Sequence, residues 1–171
     1  MTSTSPTTQV YRVYIKATPE QIWQALTDPE WTNRYGYTGH AHFDLRPGGE
    51  YKVIPNAEFK AQAEAYSGQP LDVVTDGEVV EADPPHKLVQ TWRLLMDPEM
   101  AAEGFTRITY EIQEISIGGC SLTLTHELEG APKVALMVAG SEVDPASGGG
   151  GWPWVLSDLK SLLETGSNLA G

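Results

Sequence analysis

Three polar residues stand on otherwise apolar strand faces, and chemistry in this chain would have to begin with them. Gln90 alternates with Leu88, Trp92 and Leu94; Tyr110 with Ile108 and Ile112; His126 with Leu122, Leu124 and Leu128. A polar group on a buried face needs a hydrogen-bond partner. The three therefore either orient the carbonyl or hydroxyl of a bound molecule, or bond to one another, to backbone or to buried water. His126 is also the one obvious titrating group on such a face. Around them the chain supplies aromatic surface. Trp31, Tyr37, Phe43, Tyr51, Trp92 and Trp152, with Leu156, fall on segments expected to face one hollow, and ligand pockets are lined mainly by such side chains with a few polar groups. The same aromatics would equally well fill a core.

Other constellations read as surface. His40, His42 and Asp44 share one side of a strand, so a metal site is geometrically conceivable. The opposite side carries Ala41, Phe43 and Leu45, which look like core, and this sends the histidines outward; no metal is expected. The acid pairs Glu78 with Glu81, Glu111 with Glu114 and Glu127 with Glu129 read as solvated strand faces, although desolvated pairs of this kind share acid and base roles. Glu127 follows His126, but neighbours on a strand point to opposite faces. Cys120 has no basic neighbour in sequence to lower its pKa. No G-x-S-x-G nucleophile elbow occurs. The run Gly148 to Gly151 precedes a helical segment but lacks the Lys-Ser/Thr of a phosphate-binding loop and reads as a mouth loop.

Composition narrows the function classes. The chain has 171 residues, 11 Lys plus Arg against 23 Asp plus Glu, and a net charge of −12. Nucleic acid and anionic membrane surfaces call for basic patches, so neither is expected as a partner. A single cysteine excludes an internal disulfide framework and a multi-cysteine metal site. No apolar run approaches the roughly 18 residues of a membrane span. The N-terminus, MTSTSPTTQV, has neither the basic start nor the apolar stretch of a signal peptide. The cytoplasm is the expected compartment.

The segments that must position these residues follow from local signals. Val10 to Lys16 reads as a strand with Tyr11, Val13 and Ile15 on one side. Thr18, Pro19 and Gln21 form a capping box with Pro at the first helical position. Ile22, Trp23 and Leu26 make that helix's apolar stripe, and Asp28-Pro29 stops it and opens a second short helix carrying Trp31 and Tyr35. Strands follow, separated by Arg46-Pro47-Gly48-Gly49, by Asp83-Pro84-Pro85, by a short excursion at Asp97-Pro98 and by Gly118-Gly119. Gly77 marks a bend or bulge. The stretch 57–70 could hold a helical turn or a loop, and 130–151 reads as loop. Then Trp152, Val155, Leu156, Leu159, Leu162 and Leu163 recur at helical spacing, with Gly166 beyond the end. Trp152, Leu156, Leu159 and Leu163 are expected to pack on the sheet.

Strand, two short helices, six antiparallel strands and one long helix make an α+β helix-grip fold. A strongly curved antiparallel sheet would wrap round the C-terminal helix and leave a hollow at one end. Residues 1–8 are expected to be a disordered tail, 9–165 a single domain and 166–171 a C-terminal tail.

The opening ATPEQIWQALTDPEW, the DLRPGGEY hairpin, Gly77 before the DPP turn, LVQTW, TRITYEI with CSLTLTHE, and Gly151-Trp152 opening the last helix occur in that order. Together they resemble the SRPBCC superfamily (START-like, birch-pollen-allergen-like), in the branch homologous to the heat-shock-protein ATPase activator. The resemblance implies a hydrophobic cavity for a small apolar molecule. The long segments 57–70 and 130–151 depart from it, and the chain has no room for the second domain of the activator proper. The leading expectation is a non-catalytic carrier or sensor of an aromatic or polyketide-like molecule. Its ligand-binding residues would be Trp31, Tyr37, Phe43, Tyr51, Gln90, Trp92, Tyr110, His126, Trp152 and Leu156, with no cofactor. A cyclase, dehydratase or hydrolase using the same cavity is the second reading, and a co-chaperone-like interaction module the third. Self-association as a homodimer stays open.

Overall fold

The computed structural model describes residues 7–140 and 150–169. The tail expected at 1–8, part of the loop expected before the last helix, and the final two residues thus lie largely or wholly outside the described residues. β1 (Thr8–Ile15) leads into α1 (Pro19–Thr27) and α2 (Pro29–Thr32). Both helix starts form as their residues dictate. The Thr18 hydroxyl accepts from Gln21 N at 3.2 Å while the Gln21 side chain accepts from Thr18 N at 2.9 Å. The Asp28 carboxylate accepts from Glu30 N at 2.8 Å.

β2 (His40–Phe43), β3 (Glu50–Ile54), β4 (Thr75–Asp83), β5 (Lys87–Leu94), β6 (Thr106–Glu114) and β7 (Cys120–Glu127) complete one seven-stranded sheet in the order β1-β7-β6-β5-β4-β3-β2. Every pairing is antiparallel. The sheet does not close, since β1 and β2 are its two edges. Gly77 sits where β4 runs close against β5. A Cβ there would lie 2.0 Å from the Thr91 carbonyl oxygen, so only glycine fits, and the register shifts between Val79 and Glu81.

Three further helices interrupt or follow the strands. α3 (Ala57–Ser67) fills most of the stretch left between turn and loop; it buries no residue, and Tyr66 on it is 95% exposed. α4 (Pro98–Ala102) is capped by Asp97. The expectation of loop throughout 130–151 is corrected by α5 (Pro132–Ala139), which buries Val134 and Val138. Its signal was Pro at the first position, two apolar residues four apart and Gly140 as the stop. The helix is eight residues long, and its first-turn N–H groups of Lys133 and Val134 are capped from outside by the remote Glu103 carboxylate at 2.9 Å each, so local periodicity was too little to outweigh the surrounding turn residues.

α6 (Gly151–Thr165) is the longest helix, as expected. It buries Leu156, Leu159 and Leu162 with α1 and the β1 end of the sheet, while Leu163 is only partly covered. Lys160 on it donates to the Tyr14 carbonyl at 2.7 Å, and its Glu164 accepts from Lys16 N at 2.8 Å. The start of α6 abuts the end of α5 so tightly that a Cβ on Gly151 would stand 2.5 Å from Gly140 N and from the Val138 carbonyl.

Asp158 is the charged residue this helix buries, at 3% exposure. Its carboxylate accepts from Gly36 N at 2.7 Å and from Leu169 N at 2.6 Å, tying the loop after α2 and the chain's end to α6. Asp158→Ala leaves both N–H groups without that acceptor. It should cost about 2–4 kcal/mol in urea unfolding, against near neutrality for a surface aspartate.

Candidate functional site

The buried side chains form two clusters. One joins α1, α6 and the near ends of β1, β6 and β7; the other joins β2, β3, β5, β6, β7 and α5. Tyr11 and Tyr110 pack against both, flanking Leu124 in one row across the sheet. The seam between the clusters runs through these two tyrosines.

Of the ten expected ligand residues, Phe43, Tyr51, Trp92, Tyr110 and Trp152 gather in the second cluster, and His126 stands among them. Gln90 is brought beside Tyr51. Trp31 and Leu156 belong to the first cluster, with the Arg34 guanidinium 4.5 Å above the Trp31 ring. Tyr37 is 51% exposed, and its hydroxyl accepts from Gly151 N at 2.8 Å.

His126 is fully buried, and both its ring nitrogens are committed. Trp152 Nε1 donates to Nδ1 at 3.0 Å, and Nε2 lies 2.7 Å from Thr106 Oγ1. The Thr106 hydroxyl in turn donates to the Trp92 carbonyl at 3.0 Å. An indole nitrogen only donates, so Nδ1 must accept and the proton of the neutral ring sits on Nε2. The direction of the whole chain from Trp152 to Trp92 is thereby set. Burial lowers the His126 pKa to about 4, which keeps the ring neutral at pH 7. Trp92 meets the imidazole edge-on at 5.4 Å, and Trp152 meets it at 5.9 Å. This triad pins the start of α6 to the sheet. Thr106, Thr75 and Asp158 are polar residues that sequence reasoning missed; only a three-dimensional neighbour distinguishes a buried threonine or aspartate from the many exposed ones.

The second polar group centres on the Tyr51 hydroxyl, 2.9 Å from Thr75 Oγ1. Burial raises its pKa, while hydrogen bonding from Thr75, Gln90 and Trp92 works in the opposite direction. Gln90 Nε2 has otherwise only a 3.5 Å contact with the Thr91 carbonyl. Tyr35 donates to the Ala25 carbonyl at 2.8 Å and is also raised by burial.

Tyr110 differs from both. Burial pushes its hydroxyl well above the ordinary tyrosine value, with Tyr51 and Tyr35 adding to the effect. Yet the residue is only partly buried, and among the described residues its hydroxyl has no hydrogen-bond partner.

Two hollows open elsewhere. One of about 530 Å³ is lined by Asp83, His86, Lys87, Glu111 and Glu114 among others; one of about 290 Å³ by Arg12, Tyr14, Gln113 and Thr123 among others. Neither is lined by any of the ten expected ligand residues. Among the described residues no group of three or more His, Cys, Asp or Glu could hold a metal ion. His40 contacts the Pro29 carbonyl at 3.3 Å, and Asp44 pairs with Arg46 at 2.7 Å. Cys120 is buried, and burial raises its thiol pKa. No described helix is long and apolar enough to cross a membrane.

The family model described as "Activator of Hsp90 ATPase homolog 1-like protein" matches residues 16–164. The chain belongs to this family. No curated protein matches it. Solved structures with the same fold include CV1439 from Chromobacterium violaceum, at 23% identity and TM-score 0.62, covering 94% of this chain and 99% of that one. The Aha1 dimer from Colwellia psychrerythraea is similar at 20% identity and TM-score 0.58, covering 93% and 97%. DynU16, described as a putative protein in the dynemicin biosynthetic locus, is similar at 20% identity and TM-score 0.63, covering 96% of this chain and 49% of that one. At these identities the likeness is one of fold.

Proposed function

We propose that this domain of the activator-homologue family binds a small, largely apolar aromatic molecule between the sheet and α6, without catalysis. The observation that carries the reading is Tyr110. It lies at the seam of the two core clusters, partly buried, with a hydroxyl that no described residue satisfies. A polar atom so placed has a vacancy for a guest's oxygen or nitrogen. Phe43, Tyr51, Trp92 and Trp152 supply apolar wall on one side, and Gln90 a nearby amide. The similarity in fold to a putative protein of the dynemicin biosynthetic locus is in keeping with a small-molecule guest. A cytoplasmic location goes with this reading, since a lone cysteine is ordinary there.

The state of His126 favours binding over catalysis. A general base needs a free lone pair near the substrate, and here Nδ1 already accepts from Trp152. The family description favours a second reading, a protein-interaction module of the co-chaperone kind. That reading needs an exposed patch and leaves the interior empty of guests.

Native mass spectrometry of freshly purified protein, followed by tryptophan quenching with hydroxylated aromatics, fatty acids and sterols, tests the proposal. A quench with Kd of about micromolar is expected from apolar burial with few directional bonds. Tyr110→Phe should weaken that binding by about 1 kcal/mol, the worth of one hydrogen bond, while the fold is kept. No co-purified mass, no quench and no thermal shift across the panel would overturn it.

A further inference from the structure

We propose that the guest of this interior is uncharged, and that the domain discriminates against carboxylates of the same size and shape. The inference rests on the ligand-binding reading above and deepens it by naming the class of molecule.

All 11 Lys and Arg residues fall within the described residues, and not one of them is buried. Most are held in surface ion pairs. The two that adjoin the proposed walls in sequence are Arg93, next to Trp92, and Lys52, next to Tyr51. Neighbours on a strand point to opposite faces, so both turn away from the wall side chains. Arg93 donates to Asp76 through two hydrogen bonds, at 3.0 and 2.7 Å, and lies over the Phe105 ring; Lys52 pairs with Glu50 at 3.3 Å. His126 offers no positive charge either, since its Nδ1 lone pair is taken by Trp152. The polar atoms left for a guest are those of Tyr110 and Gln90, both neutral hydrogen-bonding groups. Outside the described residues the sequence adds Glu142 and Asp144 but no Lys or Arg. An ionised carboxylate entering the seam would lose its water and meet no counter-charge. A carbonyl, amide or hydroxyl would lose less and recover a bond from the Tyr110 hydroxyl.

2-Naphthamide and 2-naphthoate, with methyl 2-naphthoate as a neutral control that lacks the amide's N–H donors, separate charge from shape, because all three share the ring and carbonyl and the naphthoate is the one ionised at neutral pH. Tryptophan quenching and calorimetry of the intact chain at about pH 7.5 should show the amide binding about a hundredfold or more tightly than the naphthoate. Tyr110→Phe should reduce amide affinity by about fivefold to tenfold. Naphthoate binding within tenfold of the amide overturns the inference while leaving ligand binding intact. Amide binding that is tight but insensitive to Tyr110→Phe overturns the assignment of Tyr110 as the polar anchor. Failure of both compounds, and of the wider aromatic panel, overturns the ligand-binding reading and this inference with it.

Discussion

Leu159→Asp should destabilise the domain by about 4 kcal/mol or more, enough to leave much of it unfolded at 25 °C. Leu159 is 0% exposed in the cluster that joins α6 to α1 and the sheet. Removing a buried leucine to alanine already costs about 2–5 kcal/mol through lost transfer energy and a cavity. Aspartate adds a charge with no partner there, or a proton taken up to neutralise it. Domains of this size have roughly 5–15 kcal/mol in total. Ser157→Asp, two residues earlier on the exposed side of the same helix, is the control and should change stability by well under 1 kcal/mol. Circular dichroism during urea unfolding reads both. Equal midpoints for Leu159→Asp and wild type would mean that α6 does not cover the sheet through this residue.

The second large effect is at His126. His126→Ala should cost about 3 kcal/mol at pH 7.5, because it opens a cavity and strips the Trp152 indole N–H of its acceptor. The cost should depend on pH in a definite direction. The folded-state pKa is lowered, by burial, from 6.5 to about 4. Between those values the unfolded chain binds a proton at His126 that the folded chain refuses, so stability rises with pH across this window. The contribution is whole above about pH 6.5 and is lost progressively as the pH falls toward 4. It amounts to about 3 kcal/mol at 1.36 kcal/mol per unit. Carboxylates titrate in the same range in both proteins, so the informative quantity is the difference. Wild-type and His126→Ala stabilities should converge as the pH is lowered from 7 to 4.5. Parallel curves would show that the ring is not held neutral in the fold.

These two residues also separate what was legible in one dimension from what was not. Leu159 belongs to a stripe at helical spacing, and its burial follows from that spacing whatever lies opposite. The capping box and the Asp-Pro starts are local for the same reason: each is completed by atoms two or three residues away. Strand alternation likewise placed His126, Gln90 and Trp92 on inward faces, and all three are buried. α5 was not legible, because an eight-residue helix is stabilised mainly by what it packs on. Nor was the difference between Leu162 and Leu163, which turns on the angle at which α6 meets β1 and α1.

The sequence by itself determined the order and type of most elements, an antiparallel sheet with a long terminal helix, and the inward direction of its polar strand residues. Those properties depend on dihedral preference and on periodicities of 2 and 3.6, which are carried by near neighbours. Only the tertiary structure decided that the sheet stays open and what the polar residues do. His126 was equally suited to a ligand, a proton transfer or a structural bond until Trp152, 26 positions away, was seen to occupy Nδ1 and Thr106, 20 positions away, to take Nε2. Tyr110 was one of three polar candidates on inward strand faces until its partly buried hydroxyl proved to have no partner among the described residues, whereas Tyr51 and Tyr35 had theirs. A hydrogen bond extends about 3 Å and is fixed by direction as well as distance. Partners so remote in the chain are assigned by the packing of α6 on the sheet, to which no local pattern refers.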